Sequence, residues 1–310
     1  MKVRLFDAHC DTAYELWQRG EDLARSTCHI DLEKAAELGA YAQIFAFCSC
    51  AGLPGVPCAE TLLREPLAYL RAQVQQHAAH IAFAAAPDEA EALTAQGKIA
   101  ALLSVEGPET IGCDPAALEA LRRDGFVMTT LTWNADNALA GKHGSDRGLT
   151  ARGRDFVSEA QRLGLAVDVS HLSEAAFWDL VKVTRKPILA SHSNCRALRD
   201  HTRNLTDDQL RAIADTDGAV GLNLYVPFLG EAANFTTLER HLEHLLRLCG
   251  EGRVMLGGDL DGCDKLPEGF PDLRGYPRFY AYLRGRGYDA ALLDRIFFDN
   301  LLQLLKREVP

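Results

Sequence analysis

Short apolar runs rich in β-branched residues alternate along this chain with longer amphipathic ones, and this alternation limits the fold more than any other feature. A short apolar run reads as a buried strand, and apolar residues recurring every three to four positions read as a helix laid against it. Eight runs qualify as strands: residues 3–9, 42–48, 99–106, 126–132, 166–171, 187–192, 219–225 and 254–259. Helical patterns fall at 59–86, 115–123, 151–163, 174–183, 207–214 and 238–248, and two more at 278–283 and 290–305 finish the chain. Ser173 and Thr206 stand where N-caps are expected, and Gly164 and Gly250 close two helices. Residues 50–57 carry two Gly and two Pro and read as a loop, not as a linker between domains. Repeated βα units in one uninterrupted run predict an α/β fold, a single (β/α)8 TIM barrel over residues 1–310. Periodicity alone is also compatible with a doubly wound open sheet.

Charge and cysteine usage narrow the function classes. With 33 basic against 43 acidic residues the net charge is −10, which disfavours nucleic acid and anionic membrane surfaces as partners. The nine cysteines form no paired framework, and Cys48-x-Cys50 lacks the second pair of a zinc knuckle, so reduced thiols are expected. The N-terminus has no apolar stretch of signal-peptide length and no run is long enough to span a membrane. A cytoplasmic location is the expectation.

In a barrel of this kind the chemistry sits where the strands end. The first strand ends in His9-Cys10-Asp11, whose alternate side chains share a face, with Cys10 pointing the other way. The third ends in Glu106, the fifth in His171, the sixth in His192, and the eighth in Asp259. Singly, each has an ordinary reading as a turn carboxylate or a satisfied barrel-end imidazole. Together, five of eight strands deliver a metal-competent side chain to one mouth. The other seven histidines fall in loops or helical patterns without matching ligands nearby.

The donor set His9, Asp11, Glu106, His171 and His192 suits Zn²⁺, and less tightly Mn²⁺, Fe²⁺ or Co²⁺. Five ligands exceed the three of a one-metal catalytic site. A binuclear centre uses them naturally: His9 and Asp11 on one ion, His171 and His192 on the other, Glu106 bridging. Water held there would be nucleophilic near neutral pH, and Asp259 fits as the proton-transfer group. Metal-assisted hydrolysis is the reaction class these residues imply.

The segments Asp7-Ala8-His9-Cys10-Asp11, Ser104-Val105-Glu106-Gly107, Asp168-Val169-Ser170-His171, Ser191-His192-Ser193-Asn194 and Gly257-Gly258-Asp259-Leu260-Asp261-Gly262 resemble, in order, the signature segments of the renal or membrane dipeptidases. These are dizinc enzymes of the amidohydrolase superfamily. The resemblance implies a (β/α)8 barrel, two zinc ions held as above, and hydrolysis of dipeptides, L-Xaa-L-Xaa and some L-Xaa-D-Xaa. It makes Asp259 the general acid/base and Arg203 the group that holds the dipeptide carboxylate. It places Tyr225 in the substrate pocket and implies a homodimer. One departure is visible: a Leu-Thr-His context in the mammalian members reads Leu131-Thr132-Trp133-Asn134 here, so Trp133 stands where a histidine would polarise the scissile carbonyl. Asn134, Asn137, His143 or the second zinc would then serve instead, with Trp133 and Asn134 facing the substrate. A cyclic-amide or lactone hydrolase, or a metal-binding barrel without catalysis, are the competing expectations. The first is disfavoured by His-x-Asp in place of His-x-His and by the absence of lysine from 126–132.

Overall fold

In the computed structural model, which describes residues 2–49 and 58–309, nine parallel strands are present. They are β1 (Leu5–Cys10), β2 (Tyr41–Cys48), β3 (Ile81–Phe83), β4 (Ile99–Glu106), β5 (Phe126–Thr130), β6 (Ala166–Asp168), β7 (Ile188–Ala190), β8 (Ala219–Leu222) and β9 (Val254–Leu256). Eight of them close a ring, because β2 pairs with β4, β9 pairs with β1, and every other neighbour pairs in sequence. The closed barrel replaces the open-sheet alternative. The expected loop at 50–57 lies outside the described residues.

The ninth strand was not in the sequence expectation. The Ala- and Leu-rich pattern at 59–86 is a helix only over Ala59–Gln76, and Ile81–Phe83 then forms β3 on the outer flank of β4. Alanine favours helix throughout this stretch, so composition could not locate the break, whereas edge pairing with Ile99–Ala101 decides it. Helices Thr12–Arg19 and Pro87–Ala95 were also unforeseen. The capping signals fared better. Ser173 accepts from the Ala176 N–H, Thr206 forms a capping box with Gln209, and Gly164 ends its helix in the left-handed conformation.

Two apolar clusters hold the barrel. The larger lies between strands and surrounding helices, where Leu5, Cys10, Phe45 and Phe126 meet Leu16, Leu70 and Phe156. The second fills the barrel interior with Phe6, Ala8, Ala42, Ala100, Ala166, Ala219 and Met255 and is sealed by Leu301 and Leu305 of the last helix and by Phe298 of the π-helical turn, Arg295–Asp299, that precedes it. Small alanines at this layer leave the space that the C-terminal helix, Asn300–Glu308, fills from the mouth where the strands begin. The opposite mouth stays open to solvent. Among the described residues, no helix is long and apolar enough to cross a membrane.

Candidate metal centre

The open mouth carries the polar groups. Three triads of ligand atoms converge there, each within 4.8 Å: His9, Asp11 and Glu106; Glu106, His171 and His192; His9, His192 and Asp259. The His9 Nε2 lies 3.6 Å from Glu106 Oε2, 3.8 Å from Asp259 Oδ1 and 4.0 Å from Asp11 Oδ1. On the other side, Glu106 Oε1 is 3.0 Å from His171 Nε2 and 3.4 Å from His192 Nε2. Every residue expected from the strand ends is therefore in one constellation, with Glu106 at its centre.

Local backbone features aim these side chains. β1 pairs Asp7 with Gln43 but Cys10 with Phe45, so it takes three steps where β2 takes two. Phe6 and Ala8 point into the barrel. An unbroken strand would bring Cys10 inward next and turn His9 towards the helices. The bulge reverses that parity, placing His9 in the mouth and Cys10 in the outer cluster. His171 and Asp259 both adopt left-handed backbone, φ 66° and 58°, which side chains other than Gly and Asn take at a cost of about 1–3 kcal/mol. Gly221 and Gly257 flank the turn after β7 so tightly that an added Cβ would lie 1.9 Å and 1.7 Å from the Ser191 carbonyl oxygen. Only glycine lets that carbonyl sit there, directly before His192.

Buried carboxylates that sequence reasoning passed over fix the frame. Asp168 Oδ1 accepts the backbone N–H groups of Ser170 and Ser191, both at 2.9 Å, and its Oδ2 takes the Ser191 hydroxyl at 2.5 Å. The Ser191 proton is thus committed to Asp168, so at the 2.6 Å contact Ser191 Oγ accepts from His192 Nδ1–H. That tautomer leaves the His192 Nε2 lone pair free for a ligand. His171 is oriented alike, its Nδ1 lying 2.9 Å from Asn134 Oδ1. Asp7 accepts from the N–H groups of His9 and Gly258 and from the Tyr276 hydroxyl, tying β1 to the turn after β9. Asn223 donates to Asp259 Oδ2 at 3.2 Å. The sequence signal for Asp7 and Asp168 was present: a carboxylate inside an apolar run must find buried donors.

The electrostatics call for cations. His9 and Glu106 are 0 % and 1 % exposed, and neither nitrogen of His9 has a hydrogen-bond partner. Burial, aided by the Arg203 charge, holds His9 down at about 3, and burial holds His171 and His192 well below the usual imidazole range. All three are neutral donors at physiological pH. Burial and the neighbouring Asp11 and Asp259 push Glu106 up. Burial likewise raises Asp259 to about 6 against the opposing pull of Arg203. Three carboxylates face one guanidinium, and divalent ions between them would remove both the charge imbalance and the orphaned nitrogens. The residues present fit such ions.

A cavity of about 640 Å³ opens above the constellation and includes Trp133, Asn134, Arg203 and Tyr225 in its walls. Arg203 is 4 % exposed, with only long bonds to Ser193 Oγ (3.4 Å) and the His192 carbonyl (3.3 Å), and its Nε lacks a partner. Asn134 Oδ1 is taken by His171 and, at 3.1 Å, by His143 Nε2. Asn137 is committed to its own loop, donating to the Leu131 carbonyl and accepting from Leu139 and Ala140.

The family model for membrane dipeptidases, peptidase family M19, matches residues 1–309. A protein encoded 5′ of pqqA in Klebsiella pneumoniae is 34% identical over 268 residues, 82% of this chain and 98% of its own length. An uncharacterized dipeptidase of Schizosaccharomyces pombe is 35% identical over 217 residues, 67% of this chain and 53% of its own. Among solved structures, a metallopeptidase from Rhodobacter sphaeroides, liganded with a phosphinate mimic of the dipeptide L-Ala-D-Ala, superposes with a TM-score of 0.91 at 27% identity, covering 99% of this chain and 100% of that one.

Proposed function

The chain belongs to the membrane dipeptidase family, peptidase family M19, and from that membership we propose that it is a dizinc dipeptidase cleaving L-Xaa-L-Xaa and L-Xaa-D-Xaa substrates. The observation that carries this reading is the pair of triads that share Glu106. His9 and Asp11 would hold one zinc, His171 and His192 the other, with one Glu106 oxygen facing each side. Bound there, the ions would supply Lewis acidity and an acidified water.

The remaining work falls to this chain's own groups. Arg203, buried and incompletely bonded, offers its fork to the dipeptide carboxylate, which makes a free C-terminus a condition of binding. Asp259, held by Asn223 beside His9, is placed to take a proton at its Oδ1 and return it to the leaving amine. Its elevated proton affinity suits both halves of that exchange. With Trp133 at the family histidine position, Asn137 committed to its loop and the N–H of neutral His143 donated to Asn134 Oδ1, the Asn134 amide NH2 is the side-chain candidate for a carbonyl donor on the cavity wall. Acceptance of a D-residue draws support from the L-Ala-D-Ala mimic bound by the Rhodobacter relative.

Metal analysis of the purified protein combined with turnover of L-Ala-D-Ala and L-Leu-Gly tests the reading. Two zinc ions per chain are expected, with hydrolysis of the free dipeptides and none of their N-acetylated or C-amidated forms. Two bound metals without turnover of any free dipeptide would overturn it.

A further inference from the structure

The cavity walls are charged unevenly. Asp11, Glu15 and Asp261 lie among the acidic lining residues, and Arg203 and Lys142 are the cationic ones. Glu15 is already paired with Arg19 at 2.6 Å. Lys142 is different. Its backbone N–H is bound by Asp136, but that carboxylate pairs with Arg147 and the Ser145 hydroxyl, and among the described residues the Lys142 ammonium has no acidic partner.

The two cations lie on one side. His143 links them: its Nδ1 lies 2.9 Å from the hydroxyl of Thr202, the residue before Arg203. Lys142 is its chain neighbour and bridges to Leu172, beside the metal-facing His171. An α-carboxylate satisfies one cation, Arg203. A neutral dipeptide would leave the second facing the cavity with nothing to pair with, whereas a C-terminal Asp or Glu carries two carboxylates on the same residue, a few ångströms apart.

Building on the dipeptidase reading, we infer that Lys142 is a specificity residue and that the enzyme's preferred substrates are dipeptides with an acidic C-terminal residue. The Lys142 ammonium receives the side-chain carboxylate while Arg203 holds the main-chain one. Because Lys142 is half-buried, its pairing is screened by salt, and the preference is to shrink as ionic strength rises.

The test compares isosteric pairs that differ only in charge: L-Ala-L-Glu with L-Ala-L-Gln, and L-Ala-D-Glu with L-Ala-D-Gln, on the zinc-loaded full chain. For whichever C-terminal configuration is cleaved, kcat/KM should favour Glu over Gln by about two- to fivefold, the scale of one partly solvated ion pair. In Lys142→Met that ratio should fall to about one, and in Lys142→Glu it should fall below one. Turnover of the Gln peptide reports that each variant is folded and loaded. A Glu/Gln ratio near one in the parent, or a preference that survives Lys142→Met, overturns the inference and leaves the dipeptidase reading intact. No cleavage of the four peptides by a parent that still cleaves L-Ala-D-Ala overturns the inference alone, and no cleavage of L-Ala-D-Ala or L-Leu-Gly either overturns both.

Discussion

The two mouths of the barrel bury the same kind of group to opposite ends. At the open mouth, His9 and Glu106 carry buried atoms without hydrogen-bond partners, and four further donors crowd within 4.8 Å groupings of them. At the sealed mouth, Glu308 of the last helix buries both carboxylate oxygens without partners, yet among the described residues it belongs to no group of metal-competent side chains. A lone buried carboxyl simply becomes harder to ionise: burial raises Glu308 to about 7, with Lys186 and Arg307 pulling weakly the other way. Convergence, not burial, separates a metal site from a strained acid.

That contrast can be broken in graded steps. The largest effect is expected from Glu106→Gln, which removes the group common to both triads. Zinc content measured by emission spectroscopy should fall below two per chain and kcat/KM by about 10³-fold or more. Asp259→Asn should keep both ions and lower kcat by about 10²- to 10⁴-fold with little change in KM. Loss of metal in that variant would mean that Asp259 is a ligand first.

Gly257→Ala probes the scaffold instead of the donors. The collision with the Ser191 carbonyl should destabilise the fold by about 3 kcal/mol or more in chemical denaturation, because both the strand and the turn that would have to give are backbone. Ser191→Ala removes the link from Asp168 to His192 Nδ1 while sparing the ligand itself. Affinity for one of the two ions should weaken by about 10- to 100-fold in chelator competition, with the His9 side retained.

The smallest effect belongs to the sealed mouth. Glu308 has its folded pKa above the unfolded one, so the stability associated with its neutral form is complete below about 4.5 and is lost as pH rises through about 7. Glu308→Gln should therefore match the parent near pH 5 and be more stable by about 1–2 kcal/mol at pH 8, read from paired denaturation curves. An equal difference at both pH values would show that the carboxyl is solvated in the native state.

Much of the open mouth was legible from residue order. A titrating side chain after an apolar run names itself, and His9, Asp11, Glu106, His171, His192 and Asp259 all did so, because a parallel barrel has one face where strands end. Arg203 had no such signal beyond family resemblance, since a loop arginine is ordinarily solvated, and its burial depends on the turn from His192 folding back over the mouth. Asp7, Asp168 and Ser191 hid within strands and turns, where their partners come from other strands.

What the sequence determined by itself was the alternation of elements and the kind of atom at each strand end, both of which depend on short-range periodicity. Tertiary structure alone decided which way those atoms point. The extra residue in β1 flips the parity that puts His9 rather than Cys10 in the mouth, and pairing against Gln43 and Phe45 of the neighbouring strand is what forces it. Tertiary structure also set the left-handed turns at His171 and Asp259 and the glycine gap beside Ser191. The physical reason is one of range: period and chemistry are properties of neighbours in the chain, whereas a bulge, a strained turn and a shared proton exist only once distant strands lie side by side.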